Sequence, residues 1–373
     1  WSSDVCSSDL ERLHGLIRIA GYAAVERDPG FLQSPARTAA DSAADQRIHM
    51  DLFQNIGQGA MAAAVGIDHC GKRHFAVLHV INLDALRMPE VLKNLDFLNV
   101  DYLIPIGGDD TLSYGVRLYK EGIHVIAIPK TMDNDVPGTD YCIGFSTCVT
   151  RTIALTNNLR TIAGSHERFL VLEVFGRYAG FTAMLPTLAG AANRCVIPEF
   201  QFDIEHLTEL MSKDRLRNPS RYSIALVSEG ATFKGGDVMF EGQATDAFGH
   251  AKLGGIGDVV SSAMKELSPK FNGGKTVDVV NQKLGYMVRG GDPDAIDSIV
   301  PMAFGNLALD LILKGIHGRL VVLKNGRYDN LPLDVVTASK KLVNVDRSYD
   351  TDRYRPKYEN FEMKPLFIMT SEG

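Results

Sequence analysis

Residues 100–111 read VDYLIPIGGDDT, a short apolar run that stops at two glycines and two carboxylates. An apolar run of this length bounded by glycine predicts a buried strand, and the apolar spacing of residues 88–98 predicts a helix before it. Residues 115–121 and 125–128 then predict a second helix and a second strand. Because helices that alternate with buried strands are typical of a parallel sheet, we predict an α/β protein.

The alternation continues through the middle of the chain. Helices are predicted at residues 146–162, 259–267 and 303–314, strands at 169–174 and 222–227, and a glycine-rich turn at 176–180. We therefore predict two Rossmann-like three-layer domains with mainly parallel sheets. The first comprises residues 11–145 and 289–335, and the second comprises residues 146–288, with a foreign or disordered leader at 1–10 and a C-terminal extension at 336–373.

Composition limits the classes of partner. The chain has 373 residues, of which 45% are hydrophobic and 23% charged, and its formal net charge is −6. A chain without a basic field is not expected to bind nucleic acid, so an anionic ligand needs a local pocket. The five cysteines are odd in number and lack Cys-x-x-Cys spacing, which favours a reducing cytoplasm. No apolar run reaches the length of a membrane span, and we expect small-molecule ligands and self-association.

The Gly-Gly-Asp-Asp-Thr cluster at residues 107–111 stands where a predicted strand ends and a helix begins. Ligands of open α/β sheets bind at this position, and glycines let a phosphate approach backbone amides at a helix N-terminus. A tight turn capped by Asp and Thr is the plainer interpretation of the same residues. Two carboxylates beside a phosphate site make sense mainly with a bound cation.

A second polar loop, Pro-Lys-Thr-Met-Asp-Asn-Asp at residues 129–135, follows the next predicted strand. The two loops are expected to face each other at one edge of the sheet. Phosphoryl transfer requires electrostatic positioning, Mg²⁺ on oxygen ligands and a carboxylate near the attacking hydroxyl. The residues that supply these groups are Asp109, Lys130, Asp133 and Asp135. An Asx-rich surface turn is the alternative interpretation.

Five motifs occur in a fixed order along residues 88–313. They are IGGDDT, PKTMDND, EVFGR, SEG and GYMVRGG, and together they resemble the phosphofructokinase family. Three arginines fall in or near them, Arg168, Arg177 and Arg289, and guanidinium groups suit phosphate recognition. Each arginine alone is more typical of a surface ion pair. The order of five motifs is much more specific than any one of them.

The resemblance implies a site for fructose 6-phosphate and Mg²⁺. Asp133 would take the proton from the sugar 1-hydroxyl, giving fructose 1,6-bisphosphate, while Asp109 and Asp135 would hold the ion. Sugar-binding residues would be Thr131, Met132, Asp133, Phe175, Gly176, Arg177 and Glu229, and the 6-phosphate would meet Tyr286, Arg289 and Arg168, the last from a neighbouring subunit. The phosphoryl donor would bind Gly107, Gly108, Asp110, Thr111 and Lys130 in the first domain. Catalysis would involve Asp133, Lys130, Asp110 and Arg177, in a homodimer or homotetramer.

Two positions favour inorganic diphosphate as the donor. ATP-dependent relatives typically carry Gly where this chain has Asp110, and the carboxylate there would repel the α-phosphate of a nucleotide. Lys130 adds a charge that suits the compact diphosphate anion. Diphosphate as donor also implies a nearly reversible reaction, usable in glycolysis or gluconeogenesis.

Three alternatives stay open from the sequence. They are an ATP-dependent sugar kinase of the same family, a lipid or dinucleotide kinase, and an inactive sugar-phosphate-binding paralogue or damaged chain. The third rests on the start of the chain, because the family's Gly-Gly-Asp-x-Pro-Gly loop is not recognisable before residue 88. Phe175 also stands where the family pattern usually has Met.

Overall fold

The computed structural model describes residues 60–67, 74–81, 88–236, 240–245, 251–253 and 255–359. The predicted leader at 1–10, most of segment 11–87 and the end of the C-terminal extension lie outside the described residues.

A six-stranded sheet forms the first half of the molecule. Its elements in chain order are β1 (Ala60–Ile67), β2 (His74–Ile81), α1 (Met88–Phe97), β3 (Tyr102–Gly107), α2 (Asp109–Lys120) and β4 (Ile126–Pro129). Two strands from the C-terminal part of the chain, described below, complete this sheet next to β4. The pairs β2 with β3 and β3 with β4 are parallel, and β1 is antiparallel to β2.

A four-stranded sheet forms the second half. Its elements are α3 (Phe145–Ser165), β5 (Phe169–Val174), α4 (Phe181–Leu188), β6 (Arg194–Val196), α5 (Ile204–Arg217), β7 (Ser223–Ser228), β8 (Phe240–Thr245), β9 (Ala251–Leu253), α6 (Ile256–Phe271) and β10 (Val279–Lys283). The sheet order is β10-β5-β7-β6 and all three pairings are parallel. Strands β8 and β9 form a separate antiparallel pair.

The chain then returns to the first sheet. The remaining elements are a 3₁₀ turn at Gly285–Val288, α7 (Ala295–Leu313), β11 (Arg319–Lys324), β12 (Arg327–Pro332), α8 (Val335–Ala338), α9 (Val345–Ser348), β13 (Tyr349–Asp350) and β14 (Arg355–Pro356). Strand β11 pairs in parallel with β4 and in antiparallel with β12. The chain therefore crosses between the two sheets twice, once on each side of the second sheet's residues.

The inner strands β3, β4, β5 and β7 are buried on two faces, which is why they are apolar along their length. In the first sheet, Leu103 and Leu320 face a core that includes α1 and α2, whereas Ile104 and Val321 face the core that contains α7. In the second sheet every residue of β5 and β7 is buried, with α5 and α6 packed together and α3 on β5. Parallel strands covered by helices on both faces give three layers, as predicted.

The predicted α/β class is confirmed, and several element ends differ for physical reasons. The helix predicted from residue 115 begins at Asp109, because two acidic residues in its first turn favour the positive end of the helix dipole. The helix predicted from residue 303 begins at Ala295, where Asp294 caps it. The domain boundaries remain a prediction. The strands of the first sheet lie within residues 60–129 and 319–332, and those of the second sheet lie within residues 169–283.

Helix α7 is long and apolar enough to satisfy the length and hydropathy of a membrane span. It packs instead against β4, β11 and β12, and Phe304 and Ala308 on it are fully buried. A core helix of a two-layer or three-layer protein meets the same criteria, so this helix is part of the core.

Candidate active site

The five sequence motifs occupy five loops at the carboxyl ends of parallel strands. These loops follow β3, β4, β5, β7 and β10. Carboxyl ends of neighbouring parallel strands meet at one edge of a sheet, which is where α/β proteins bind ligands. The two sheets thus bring five polar loops toward one region between them.

The turn after β3 depends on its glycines. A Cβ on Gly107 would lie 2.5 Å from the Cβ of Thr111, so a larger residue would displace the start of α2. Gly108 is the N-cap of α2 and supplies no side chain to the first helical amides. Amides at a helix N-terminus favour an anion, and here the amide of Asp110 donates to Oδ1 of Asp109 at 3.0 Å.

The loop after β4 is fixed to the loop after β3 and to itself. The amide of Lys130 donates to the carbonyl oxygen of Gly107 at 2.8 Å. Asn134 is fully buried with a left-handed φ of 54°. Its side chain donates to the carbonyl oxygen of Asp140 at 3.1 Å and accepts from the amide of Cys142 at 2.8 Å. Asn134 therefore locks the loop, and the carboxylates on either side of it belong to a rigid segment.

Charged residues from four other loops lie near Asp133 and shift the pKa of its carboxyl group. Burial raises the pKa of the Asp133 carboxyl well above its usual range, and the carboxylates of Glu229 and Asp109 raise that pKa further. The guanidinium groups of Arg289 and Arg177 act in the opposite direction. These four neighbours follow β7, β3, β10 and β5 respectively, so both sheets contribute to the surroundings of one carboxyl group.

Asp135 and Lys130 complete the charged part of the site. Burial raises the pKa of Asp135, with Asp133 and Asp109 adding to the effect and Lys341 opposing it. Burial and the nearby Arg289 guanidinium lower the pKa of Lys130 to about 8. Several groups that ordinarily carry full charge at neutral pH are therefore held near the midpoint of their titration, which is common at catalytic sites.

The residues present fit a magnesium ion. The Oδ1 atoms of Asp133 and Asp135 are buried and have no hydrogen-bond partner among the described residues. No three His, Cys, Asp or Glu side chains within that part of the chain converge tightly enough to enclose a metal ion by themselves. Mg²⁺ usually takes one or two carboxylates and completes its shell with water and substrate phosphates. Two unpaired buried carboxylate oxygens match this pattern.

The loops of the second sheet interlock. The amide of Glu229 donates to the carbonyl oxygen of Val174 at 2.9 Å, and the amide of Gly230 donates to that of Gly176 at 3.2 Å. A Cβ on Gly230 would lie 2.0 Å from the carbonyl oxygen of Arg177. The loops after β5 and β7 therefore hold each other in place and fix the backbone that carries Arg177 and Glu229.

The loop after β10 adds an aromatic and cationic surface. The rings of Phe175 and Tyr286 meet edge to face with centroids 5.9 Å apart. The guanidinium of Arg289 lies 5.6 Å from the centroid of the Tyr286 ring. Tyr286 is 73% exposed, so this surface faces outward and is open to a ligand or a second subunit.

A cleft of about 380 Å³ lies beside the carboxylates. The residues that line it include Asp109, Asp135, Tyr178 and residues 336–342 of the C-terminal extension. The ammonium of Lys340 lies 3.7 Å from the centroid of the Tyr178 ring. Volume and mixed charge of this kind suit a small anionic ligand bound with a cation.

The predicted residues divide into those brought together and those kept apart. The acidic, lysine and arginine groups around Asp133 are brought together as expected, but Asp110 is exposed at the start of α2. Arg168 stands at the amino end of β5, the opposite end from Arg177, so it is remote from this chain's own loops. Its role in a neighbouring subunit's site stays a prediction.

Sequence reasoning missed two residues at the site. Lys341 is buried and its ammonium donates to the carbonyl oxygens of Thr139 and Asp140 at 2.8 and 3.1 Å. Asp297 lies near Lys130 and raises its pKa. No local pattern marks either residue, since each reaches the site from a segment far along the chain. A buried position for a charged side chain is visible only in the fold.

Comparison with known proteins agrees with the geometry. The phosphofructokinase family model matches residues 75–312. The chain is 38% identical over 254 residues to the pyrophosphate–fructose 6-phosphate 1-phosphotransferase of Streptomyces coelicolor, covering 68% of this chain and 72% of that protein. It is 35% identical over 272 residues to the ATP-dependent 6-phosphofructokinase of Mycobacterium bovis, covering 72% and 77% respectively.

A solved structure shares the fold. The pyrophosphate-dependent phosphofructokinase of Nitrosospira multiformis superposes with a TM-score of 0.59 at 19% identity, covering 72% of this chain and 68% of that one. At this identity the likeness concerns the fold alone. The sequence relatives and the family match decide membership, and the chain belongs to the phosphofructokinase family.

Proposed function

We propose that this protein transfers a phosphoryl group from inorganic diphosphate to the 1-hydroxyl of fructose 6-phosphate, giving fructose 1,6-bisphosphate and phosphate. The observation that carries the proposal is the convergence of four loops, from both sheets, on the single carboxyl group of Asp133. A phosphoryl acceptor and donor must be held in line, and a site built from two sheets can bind one substrate on each.

Asp133 is the residue suited to accept the proton of the 1-hydroxyl. A general base works best when its pKa lies near the pH of the reaction, and burial raises the pKa of Asp133 toward that range. Arg177 and Arg289 favour its ionised form, so the base keeps a usable charge. Asn134 holds the loop backbone on its carboxyl side.

Asp109 and Asp135 would hold Mg²⁺, Asp135 through its unpaired buried Oδ1, while Asp133 beside them serves as the base. When bound, the ion neutralises charge on the donor phosphates and orients them. The residues of this chain supply the rest. Lys130 adds a positive charge beside the carboxylates, and the backbone turn at Gly107 and Gly108 offers amides to phosphate oxygens.

Two features support diphosphate as the donor. Asp110 places a carboxylate in the first turn of α2, where the α-phosphate of a nucleotide would meet a like charge. The ammonium of Lys130 adds a positive charge to that of Mg²⁺, which suits the compact diphosphate anion. The relative from Streptomyces coelicolor bears a pyrophosphate-dependent name. The reaction then runs close to equilibrium and serves either direction of carbohydrate metabolism.

ATP-dependent phosphofructokinase is the second candidate. It is favoured by the relative from Mycobacterium bovis, whose name states that donor and whose identity is only slightly lower. The charge at Asp110 argues against it for the physical reason given above.

The deciding assay measures fructose 1,6-bisphosphate formed from fructose 6-phosphate and Mg²⁺ with either diphosphate or ATP as sole donor. We expect turnover with diphosphate and at least about 10²-fold lower kcat/KM with ATP, which corresponds to about 2.7 kcal/mol of discrimination. Preference for ATP would overturn the donor assignment. Sugar binding without turnover by either donor would support an inactive paralogue instead.

The assembly we propose is a homodimer or homotetramer in the cytoplasm. Arg168 lies at the far end of β5 from this chain's own site, and Tyr286 and Arg289 are exposed, which suits a site shared between subunits. A shared site predicts that sugar binding and subunit association depend on each other, which sedimentation with and without fructose 6-phosphate measures.

A further inference from the structure

Helix α3 begins without a cap of its own. Its N-cap is Gly144, which has a left-handed φ of 98° and offers no side chain to the first amides. The first amides of a helix need partners, and a missing Ser, Thr, Asp or Asn at this position costs stability. A buried helix start must therefore find its acceptor elsewhere.

Asp297 on α7 supplies that acceptor. Its Oδ1 accepts from the amide of Gly144 at 2.7 Å, and its Oδ2 accepts from the amide and the hydroxyl of Thr147 at 2.8 and 2.6 Å. The hydroxyl of Tyr141 also donates to Oδ1. The side chain is almost completely buried, with 6% relative exposure. The carboxylate thus caps α3 in trans, from a different part of the chain.

Asp294 fastens the same two helices. Its Oδ2 accepts from the hydroxyls of Ser146 and Thr150 at 2.5 and 2.8 Å. Its Oδ1 accepts from the amide of Asp297 at 3.0 Å, so it caps α7 at the same time. We call Asp294 and Asp297 with their partners on α3 the inter-helix clamp. Arg151 extends it by donating to the carbonyl oxygen of Asp292 at 3.0 Å.

The inter-helix clamp stands where the chain crosses between the sheets. The first crossing runs from β4 through residues 130–144 into α3, and the second runs from β10 through residues 284–294 into α7. The clamp joins the end of one crossing to the end of the other. The proposed sugar site is made of loops from both sheets, so a joint between the two crossings bears on how those loops face each other.

We infer that Asp297 is a positioning residue, which joins the two crossings and holds the loops of the two sheets at the separation that fructose 6-phosphate requires. The sugar in this statement rests on the proposed function, whereas the joining of the crossings does not. A donor held by loops of the first sheet alone would be affected much less.

The kinetic test uses Asp297→Asn, which keeps the shape and removes one of the two acceptor oxygens, placing an amide donor against the N–H groups of α3. We expect KM for fructose 6-phosphate to rise about tenfold, while KM for the donor that the enzyme uses stays within about twofold. Both are measured well below pH 8, because Asp297 also raises the pKa of Lys130 and that lysine must stay protonated in both enzymes. Thr147→Val removes one hydroxyl donor, so it should raise KM for fructose 6-phosphate by a smaller factor and again leave KM for the donor unchanged. Thr147→Ser keeps the hydroxyl and should have the wild-type KM for fructose 6-phosphate. An equal rise in both KM values, or none, would overturn the inference.

Asp203 provides the matched control. It caps α5 by accepting from the amides of Glu205 and His206 at 2.9 and 3.1 Å, and the helix it caps lies within one domain. Asp203→Ala removes that cap and should lower the melting temperature while leaving both KM values unchanged. If Asp203→Ala shifted the sugar KM as much as Asp297→Asn, the effect would be general instability and the inference would fail.

A second measurement needs no turnover. Spin labels are attached at Phe97→Cys on α1 and Leu216→Cys on α5, where both side chains are exposed. Cys6 and Cys70 are replaced by Ser, whereas Cys142, Cys148 and Cys195 are buried and are kept. Double electron–electron resonance then reports the distance between the two halves. The distance distribution should broaden in Asp297→Asn and stay narrow in Asp203→Ala. An unchanged distribution would refute the clamp even if the enzyme proved to use neither donor, so the two failures remain separate.

Discussion

The central residue of the site is a carboxyl group whose charge depends on its neighbours. Asp133 has two carboxylates and two guanidinium groups around it, and burial shifts its pKa upward more than any one neighbour does. Its position in the motif was predictable from the sequence, because loops after adjacent strands meet. Its pKa was not, because Glu229 and Arg289 reach it only after both sheets have assembled.

The pH profile of kcat/KM tests these surroundings. The base must be ionised, so activity should rise with pH through the neutral range and not near pH 4. Lys130 must be protonated, and its pKa of about 8 means that activity should fall above that pH. In Lys130→Met the alkaline fall should disappear, and in Asp133→Asn kcat should drop by about 10²–10⁴-fold. An acid limb near pH 4 would contradict the role given to burial.

Donor choice is argued from one carboxylate. Asp110→Gly should raise kcat/KM with ATP by about tenfold or more, because the like charge near the α-phosphate is removed. Use of diphosphate should fall, because Asp110 is among the residues expected to bind the donor, so the ratio of ATP use to diphosphate use should rise. The control variant Asp101→Gly removes an exposed carboxylate at the amino end of β3, away from the site. It should leave kcat/KM with either donor unchanged. No gain with ATP in Asp110→Gly would show that other residues exclude the nucleotide.

At the level of helices and strands, prediction succeeded where a strand is apolar and stops at glycine. Strands β3, β5 and β7 fit that pattern because they lie inside a sheet. Strand β10 was missed because it is an edge strand with an Asn-Gln-Lys sequence and only partial burial. Strands β11 and β12 were missed although the apolar run in β11 and the two-residue Asn325-Gly326 turn, with φ of 51° and 73°, are a hairpin signal. An edge position such as that of β10 leaves little trace in local periodicity.

The interlocked loops after β5 and β7 give a prediction at this scale. Gly230→Ala places a Cβ against the Arg177 carbonyl oxygen, so the two loops must separate. We expect kcat/KM for the sugar phosphate to fall about 10²-fold, the effect of a misplacement of about 1 Å. Gly236→Ala is the control, because the nearest atom there is 3.4 Å away and φ is not left-handed. Equal activity in the two variants would refute the interlock.

Across the whole molecule, the C-terminal extension ties the halves together. Lys341 bonds to carbonyl oxygens in the loop before α3, and the amide of Val343 donates to Oε1 of Glu199 at 2.8 Å, beyond β6 of the second sheet. Tyr349 continues the contact by donating to the carbonyl oxygen of Cys195 at 2.6 Å. Sequence analysis placed this extension outside both domains, since its Tyr, Arg and Asp residues show no periodicity that indicates where they pack.

Stability depends on this extension through Lys341. Lys341→Met removes the ammonium donor from the carbonyl oxygens of Thr139 and Asp140, of which the second keeps its bond from Asn134, and we expect unfolding free energy to fall by about 1–3 kcal/mol at pH 7. Lys340→Met removes an exposed neighbour and should cost less than about 1 kcal/mol. Urea unfolding measures both, and equal losses would mean that the buried ammonium contributes nothing particular.

The same lysine predicts how the difference changes with pH. Burial lowers the pKa of Lys341 in the folded protein to about 8, below its ordinary value of 10.5. Between these pH values the unfolded chain binds more protons, so wild-type stability gains relative to Lys341→Met as pH rises. Urea unfolding of both proteins at pH 7 and pH 10 measures the difference between their unfolding free energies. We expect this difference to be larger at pH 10, and a smaller difference at pH 10 would contradict the prediction.

The return of the chain to its first sheet also governs how the protein is made. Strand β4 takes its neighbour β11 from residues that leave the ribosome only after the whole second sheet, because Arg319 pairs with Ile126. The strands of the second sheet emerge consecutively, so we expect them to assemble during synthesis while β4 still has an open edge. A nascent chain arrested between α6 and β11 should therefore recruit chaperones to that edge, and release should follow once β11 has been translated.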